Sequence, residues 1–83
     1  MSVLSNIKRL PLGYSEGIYN TKKYGITKTV FNNGKSVKIY AEELGGTDFI
    51  SLNYYITLNK ELLKPCEMPE QKVIEFLKNV KEI

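Results

Sequence analysis

The sequence predicts an α+β domain: an antiparallel meander sheet of four to five strands, with one C-terminal helix packed on one of its faces. Three observations carry this reading. Residues 26 to 57 alternate in side-chain character at the two-residue period of a strand. Two glycine-containing stretches, "NNGK" and "LGGTD", interrupt that run where hairpin turns belong. Beyond Pro69, the apolar residues of "PEQKVIEFLKNV" recur at helical spacing.

The elements follow in order. Residues 1–13 differ in texture from the rest, with Val3, Leu4, Ile7, Leu10 and Leu12 scattered before and after Pro11. They form an N-terminal arm whose pattern leaves a short helix over 2–9, a strand and a packed tail all open. Residues 14–83 form a single domain. "SEGIY", "NTKK" and "YGITKTVF" read as strand, polar turn and strand, with the turn length open. Asn33-Gly34 is the preferred pair for a two-residue type I′ hairpin, where both positions need positive φ. That loop sets Val30 opposite Val37, Lys28 opposite Ile39 and Ile26 opposite Ala41. Lys28 is the one charge on an otherwise apolar side. An even-length loop at Gly45-Gly46 then sets Ala41 opposite Ile50, Ile39 opposite Leu52 and Val37 opposite Tyr54, all on the same side. An odd loop would turn every side chain over. A turn at Asn59-Lys60 places Leu63 beside Ile56, and Pro65, lacking an amide donor, ends the pairing. The rest of the chain reads as helix. Pro69 suits the first helical position and Glu70 the positive end of the dipole. Val73, Ile74, Leu77 and Val80 make the buried stripe, with Phe76 at its margin.

Composition narrows the chemistry. Eighty-three residues carry a net charge of +3, and the only arginine among twelve basic residues is Arg9. Bidentate arginine recognition of phosphate is therefore scarce. The chain contains no His and one Cys. This removes histidine acid–base catalysis and the common zinc sites, so no cofactor and no metal are expected. A lone cysteine cannot form an internal disulfide, which points to a reducing cytoplasm. No apolar stretch approaches membrane-span length, so a membrane partner is not expected either.

With these registers the face opposite the core carries Thr27, Thr29, Lys38, Tyr40, Glu42, Phe49, Ser51, Asn53, Tyr55, Thr57 and Lys64. Tyr40, Phe49 and Tyr55 supply flat rings, Lys38 and Lys64 positive charge, and Asn53 a hydrogen-bonding amide. Rings beside lysines suit single-stranded nucleic acid, with bases stacked and phosphates paired. Half-buried aromatics also suit protein-made cover, either the N-terminal arm or a second copy of the chain. Glu42, Glu43 and Asp48 work against phosphate. In "EELGGTD" these three acids lack the oxygen count and spacing of a calcium loop and read as a solvated hairpin end. Tyr14, Tyr19 and Tyr24, with Lys22 and Lys23, form a basic aromatic turn that would extend a binding surface. Cys66, in "KPCEMP", stands before a helix N-terminus, a position that favours thiolate.

"VFNNGKSVKIYAEE" followed by "LLKPCEMPEQKVIEFLKNV" resembles the ββββα texture of the single-stranded-DNA-binding transcriptional coactivator, Whirly and Pur families. That resemblance implies single-strand binding along the sheet, dimerisation, and contacts at Lys38, Tyr40, Asn53 and Tyr55. The chain departs from those families in its scarcity of arginine and its acidic residues. The longer run from "YSEGIYN" to "KPCEMPEQKVI" is similar to short bacterial proteins, some of which bear a methionine sulfoxide reductase label. This second resemblance implies thiol chemistry at Cys66. The reductases, however, place their cysteine in a Gly-Cys-Phe-Trp setting or beside zinc-binding CxxC pairs, and this chain has neither.

The expected function is that of a small non-enzymatic binding domain. Its outer sheet face would contact single-stranded nucleic acid, a protein partner or a second copy. Thiol-dependent activity at Cys66 is the enzymatic alternative.

Overall fold

A computed structural model describes residues 3–83, so the first two residues of the arm lie outside it. The chain is α+β, with an antiparallel sheet of six strands and two helices. These are α1 (Val3–Arg9), β1 (Gly13–Tyr19), β2 (Lys22–Phe31), β3 (Ser36–Glu43), β4 (Phe49–Ile56), β5 (Glu61–Pro65), α2 (Glu70–Asn79) and β6 (Lys81–Glu82). The sheet order is β5-β4-β3-β2-β1-β6, a plain meander with the C-terminal strand added at the far edge. The expectation of four to five strands and one helix is thus corrected upward by β6 and α1.

The two central hairpins keep the expected registers. Val30 pairs with Val37, Lys28 with Ile39 and Ile26 with Ala41. Ala41 pairs with Ile50, Ile39 with Leu52 and Val37 with Tyr54. Asn33 (φ 56, ψ 38) and Gly34 (φ 89) have the left-handed geometry of a type I′ turn, and the Lys35 amide donates to the Asn32 carbonyl at 3.1 Å. The left-handed region also takes in Asn32, at φ 53, so the strand ends one residue early at Phe31. The first hairpin closes the same way, with Asn20 and Thr21 at φ 52 and 64 between the paired Tyr19 and Lys22.

The last hairpin differs from expectation by two residues. Leu63 pairs with Tyr54, and Ile56 with Glu61. The turn is centred on Leu58-Asn59 because Thr57 closes it from both sides. Its amide and hydroxyl donate to the Lys60 carbonyl, each at 2.8 Å, and its hydroxyl accepts the Lys60 amide at 3.1 Å. A slip of two preserves side-chain parity, so Leu63 still packs against the core.

Both helices lie on the core face. Ile39, Leu52, Ile26 and Ile50 of the sheet, Val73, Phe76, Leu77 and Val80 at α2, and Ile7 and Leu10 at α1 share one buried cluster. Phe76 is central rather than marginal, meeting Tyr19 and Tyr24 edge-on at 5.1 and 5.3 Å, while Ile74 is only half-buried. Pro69 stands just before the first helical residue in an extended conformation (φ −65, ψ 145). The helix stops at Asn79, and the chain turns extended at Val80 to reach β1. Gly17 makes this possible, because a Cβ there would lie 2.9 Å from Val80 Cγ2 and 3.0 Å from the Lys81 carbonyl oxygen.

α1 has seven residues, too few to hold helical structure alone. Lys28, the exception on the apolar side, fixes it. The Lys28 Nζ donates to the Ile7 and Leu10 carbonyl oxygens, both at 2.9 Å, joining the Leu10 amide (3.2 Å) as a second donor to the Ile7 oxygen at the helix end. Burial pushes the Lys28 pKa below its ordinary value. Arg9 makes the return connection, donating to the Leu77 and Val80 carbonyl oxygens at 2.9 Å each. The single arginine is therefore engaged at the end of α2.

Candidate functional site

With α1 and α2 both on the core face, the opposite face of the sheet has no helix over it. The described part of the N-terminal arm, one of the two candidate covers, packs on the other side through Val3, Leu4, Ile7 and Leu10. Side chains on the open face stand in rows across the strands. One row runs Lys64, Asn53, Lys38, Thr29. The next runs Ser51, Tyr40, Thr27, Tyr14, and a third runs Phe49, Glu42, Gly25, Glu16. Toward the turns, Leu62, Tyr55, Ser36 and Phe31 make a fourth. The structure thus brings Lys38, Tyr40, Phe49, Asn53, Tyr55 and Lys64 onto one surface.

Five aromatic side chains on this face keep much of their area in solvent: Tyr14 (60%), Phe31 (49%), Tyr40 (40%), Phe49 (38%) and Tyr55 (37%). The Tyr40 and Phe49 rings lie 6.2 Å apart with a 31° tilt, side by side rather than stacked. Lys72 Nζ, from the start of α2, sits 5.9 Å from the Phe49 ring centroid. Phe31 is not among the expected contacts, and Tyr14 enters the expectation only through the basic aromatic turn. Phe31 follows from the parity that selects Thr27 and Thr29, whereas Tyr14 needed the first hairpin's register. Tyr14 lies over Gly25, where an added Cβ would come 2.6 Å from its hydroxyl. Tyr19 and Tyr24, grouped with Tyr14 in the sequence, point to the core side instead, because they pair with Lys22 and Gly17 at the opposite parity.

The charges divide by row. Among the described residues the ion pairs are Lys22–Glu43 at 3.8 Å, Lys23–Glu16 at 3.7 Å and Lys72–Asp48 at 2.8 Å. Lys38, Lys64 and Glu42 carry uncompensated charge on the open face, with Tyr40 in the row between the two signs. Asp48 is engaged inside the fold: it accepts from Lys72 Nζ and from the Tyr24 hydroxyl at 2.9 Å. The Lys72 hydrogen bond is the main cause holding its carboxyl below the usual range. Tyr24 is pushed the other way by burial and by this carboxylate. Among the described residues no three His, Cys, Asp or Glu side chains are placed to hold a metal ion.

Cys66 continues the open face beyond β5. Its amide donates to the Ser51 carbonyl at 3.0 Å, and its Sγ accepts from Asn53 Nδ2 at 3.5 Å. The thiol therefore has an amide neighbour and no imidazole, since the chain has no histidine. A groove of about 360 Å³ lies at the turn end of the sheet, lined by Lys35, Ile56, Thr57 and Leu58. None of the expected contact residues lines it. The open face itself is a surface of rows, shaped for an extended or flat partner more than for an enclosed small molecule. Among the described residues no helix is long and apolar enough to cross a membrane.

No protein-family model, curated protein or solved structure matches this chain.

Proposed function

We propose that this chain is a small non-enzymatic binding domain whose contact surface is the outer face of its sheet. The observation that carries the reading is five partly exposed aromatic side chains on a face that neither helix covers. Single-stranded nucleic acid is one chemistry this surface accommodates. Bases would stack on Tyr40, Phe49 and Tyr55, while Lys38 and Lys64 meet phosphates and Asn53 supplies donors to base edges. Fluorescence anisotropy with a labelled single-stranded oligonucleotide tests it. Two phosphate contacts give a slope near −1.4 for log K against log salt, by the counterion-release value of about −0.7 per contact. Tyr40→Ala and Tyr55→Ala should each weaken binding by about 1–3 kcal/mol through lost stacking. Absence of binding at low salt removes nucleic acid as the ligand.

A protein partner is the second reading, favoured by the uncompensated Glu42 on the same face. A carboxylate in the middle of the surface repels phosphate, whereas a protein can answer it with a lysine. Both readings place the contact on the same surface and differ in what lies against it.

A further inference from the structure

We propose that the partner on the outer face is a second copy of this chain, seated face to face about a two-fold axis that crosses the strands at Tyr40. This rests on the reading of the outer face as a contact surface and names its occupant. The argument begins on β3, where Lys38, Tyr40 and Glu42 project outward in successive rows about 6.8 Å apart, twice the strand rise. The lysine row (Lys64, Asn53, Lys38) lies on one side of Tyr40, and the acidic row (Phe49, Glu42, Glu16) lies on the other.

An axis lying along the Tyr40 row exchanges those flanking rows. Each copy's Lys38 then faces Glu42 of the second copy, twice over, and the two Tyr40 rings meet at the centre. This is the self-complementary pattern of a closed two-fold interface, in which one patch serves both partners. The charges are free for it. Glu16 is answered by Lys23 and Asp48 by Lys72 within the chain, while Lys38 and Glu42 have no ion pair among the described residues. Thr27, a small exposed side chain on one flank of Tyr40, leaves room for a ring from the opposing sheet, whereas Ser51 on the other flank is already buried within the chain. Packed sheets cross at about −30°, so rows stay in register near the axis and diverge outward. The triplet on β3 is thus the part of the face that decides the fit.

Size sets the strength. Five strands spaced by about 4.8 Å and four rows of side chains present roughly 600 Å² per copy. That is below the ~800 Å² per partner of a standard stable interface, so the dimer is reversible and concentration-dependent. A polyanion would gain at Lys38 and Lys64 but meet Glu42 unfavourably, whereas a second copy satisfies both signs.

Analytical ultracentrifugation of the full chain over a wide concentration range tests the proposal. The wild-type mass should rise from 9.5 kDa toward twice that value. Lys38→Glu and Glu42→Lys should each raise the dimer dissociation constant about tenfold or more, by setting like charges opposite one another. Both side chains are exposed, and circular dichroism checks that the variants fold. The decisive arm mixes the two variants. Each alone is monomeric, but a Lys38→Glu copy complements a Glu42→Lys copy at both contacts, so the mixture recovers the dimer. A wild type of single mass at all concentrations, a dimer indifferent to both substitutions, or a mixture without recovery overturns the proposal. In any of those cases an oligonucleotide titration of the same protein separates the two levels of the argument. Binding that is lost in Tyr40→Ala keeps the outer face as the contact surface with a different partner. No binding removes nucleic acid as well and leaves a different protein as the remaining occupant of that face.

Discussion

Ile39 and Tyr40 are consecutive residues of one strand with opposite fates. Ile39 is wholly enclosed between the sheet and its helices, while Tyr40 holds 40% of its area in solvent. The same contrast repeats between Leu52 and Asn53, and between Tyr54 and Tyr55. It extends to charge. On the core face the buried lysine, Lys28, meets two carbonyl oxygens at 2.9 Å. On the outer face Lys38 and Glu42 stand apart, each without an ion pair among the described residues. A buried ammonium without acceptors would cost several kcal/mol, so the core face has to satisfy its charge internally. Water solvates an exposed charge, so the outer face can leave its own unanswered. The comparison separates what holds the fold together from what is available for contact.

The largest expected effect comes from taking one residue from each face of β4. Leu52→Ala should cost about 2–5 kcal/mol in urea unfolding, because it opens a cavity in the closed layer. Tyr55→Ala should stay within about 1 kcal/mol, as substitutions at exposed positions do. Equal costs would mean that the outer face is packed after all. An intermediate effect is expected at Lys28→Met, which keeps side-chain length, takes the lysine donor from the Leu10 carbonyl and leaves the Ile7 carbonyl the Leu10 amide alone. A loss of about 1–3 kcal/mol is expected, with amides of Val3–Arg9 exchanging faster than those of the central strands. Unchanged exchange over α1 would show that its apolar contacts suffice.

The smallest effect is a pH dependence. The Asp48 carboxyl is held below its ordinary value of 3.8, chiefly by the Lys72 hydrogen bond. A carboxylate with a depressed folded-state pKa stabilises above its unfolded-state value. That contribution disappears as pH falls through the lower, folded-state one. Wild-type stability should therefore drop more steeply than that of Asp48→Asn on acidification below about pH 5. The difference should be under about 1 kcal/mol because the pair is partly exposed. Parallel curves would remove Asp48 from the account.

Much of this two-sidedness is legible in the sequence, because parity is local. Asn33-Gly34 fixes the β2–β3 pairing and Gly45-Gly46 the β3–β4 pairing. Together they assign every side chain from Ile26 to Ile56 to one face. The β4–β5 register slips by two because the turn centres on Leu58-Asn59, one residue before Asn59-Lys60, and parity conceals the error. What the pattern hides is non-local. Val80 continues the helical stripe, so nothing nearby announces that the helix ends at Asn79. The signal is Gly17, some sixty residues away, whose missing side chain admits β6. The arm's pattern allows a helix over 2–9 beside a strand and a packed tail. The structure has the helix, at Val3–Arg9, with Lys28 on the apolar face supplying the donor that anchors it. At the site, the six expected side chains share one surface, and Tyr14 and Phe31 join them.

The central claim is that the sheet has one closed face and one face open for contact. Hydroxyl-radical footprinting read by mass spectrometry tests it most directly, comparing tyrosines across the sheet. In dilute protein Tyr40 and Tyr55 should oxidise readily while Tyr24 and Tyr54 stay protected, and raising the protein concentration or adding oligonucleotide should protect Tyr40 and Tyr55 and leave Tyr24 and Tyr54 as they were. Tyr40 and Tyr55 as unreactive as Tyr24 in the dilute protein, or unchanged by every partner offered, would contradict it.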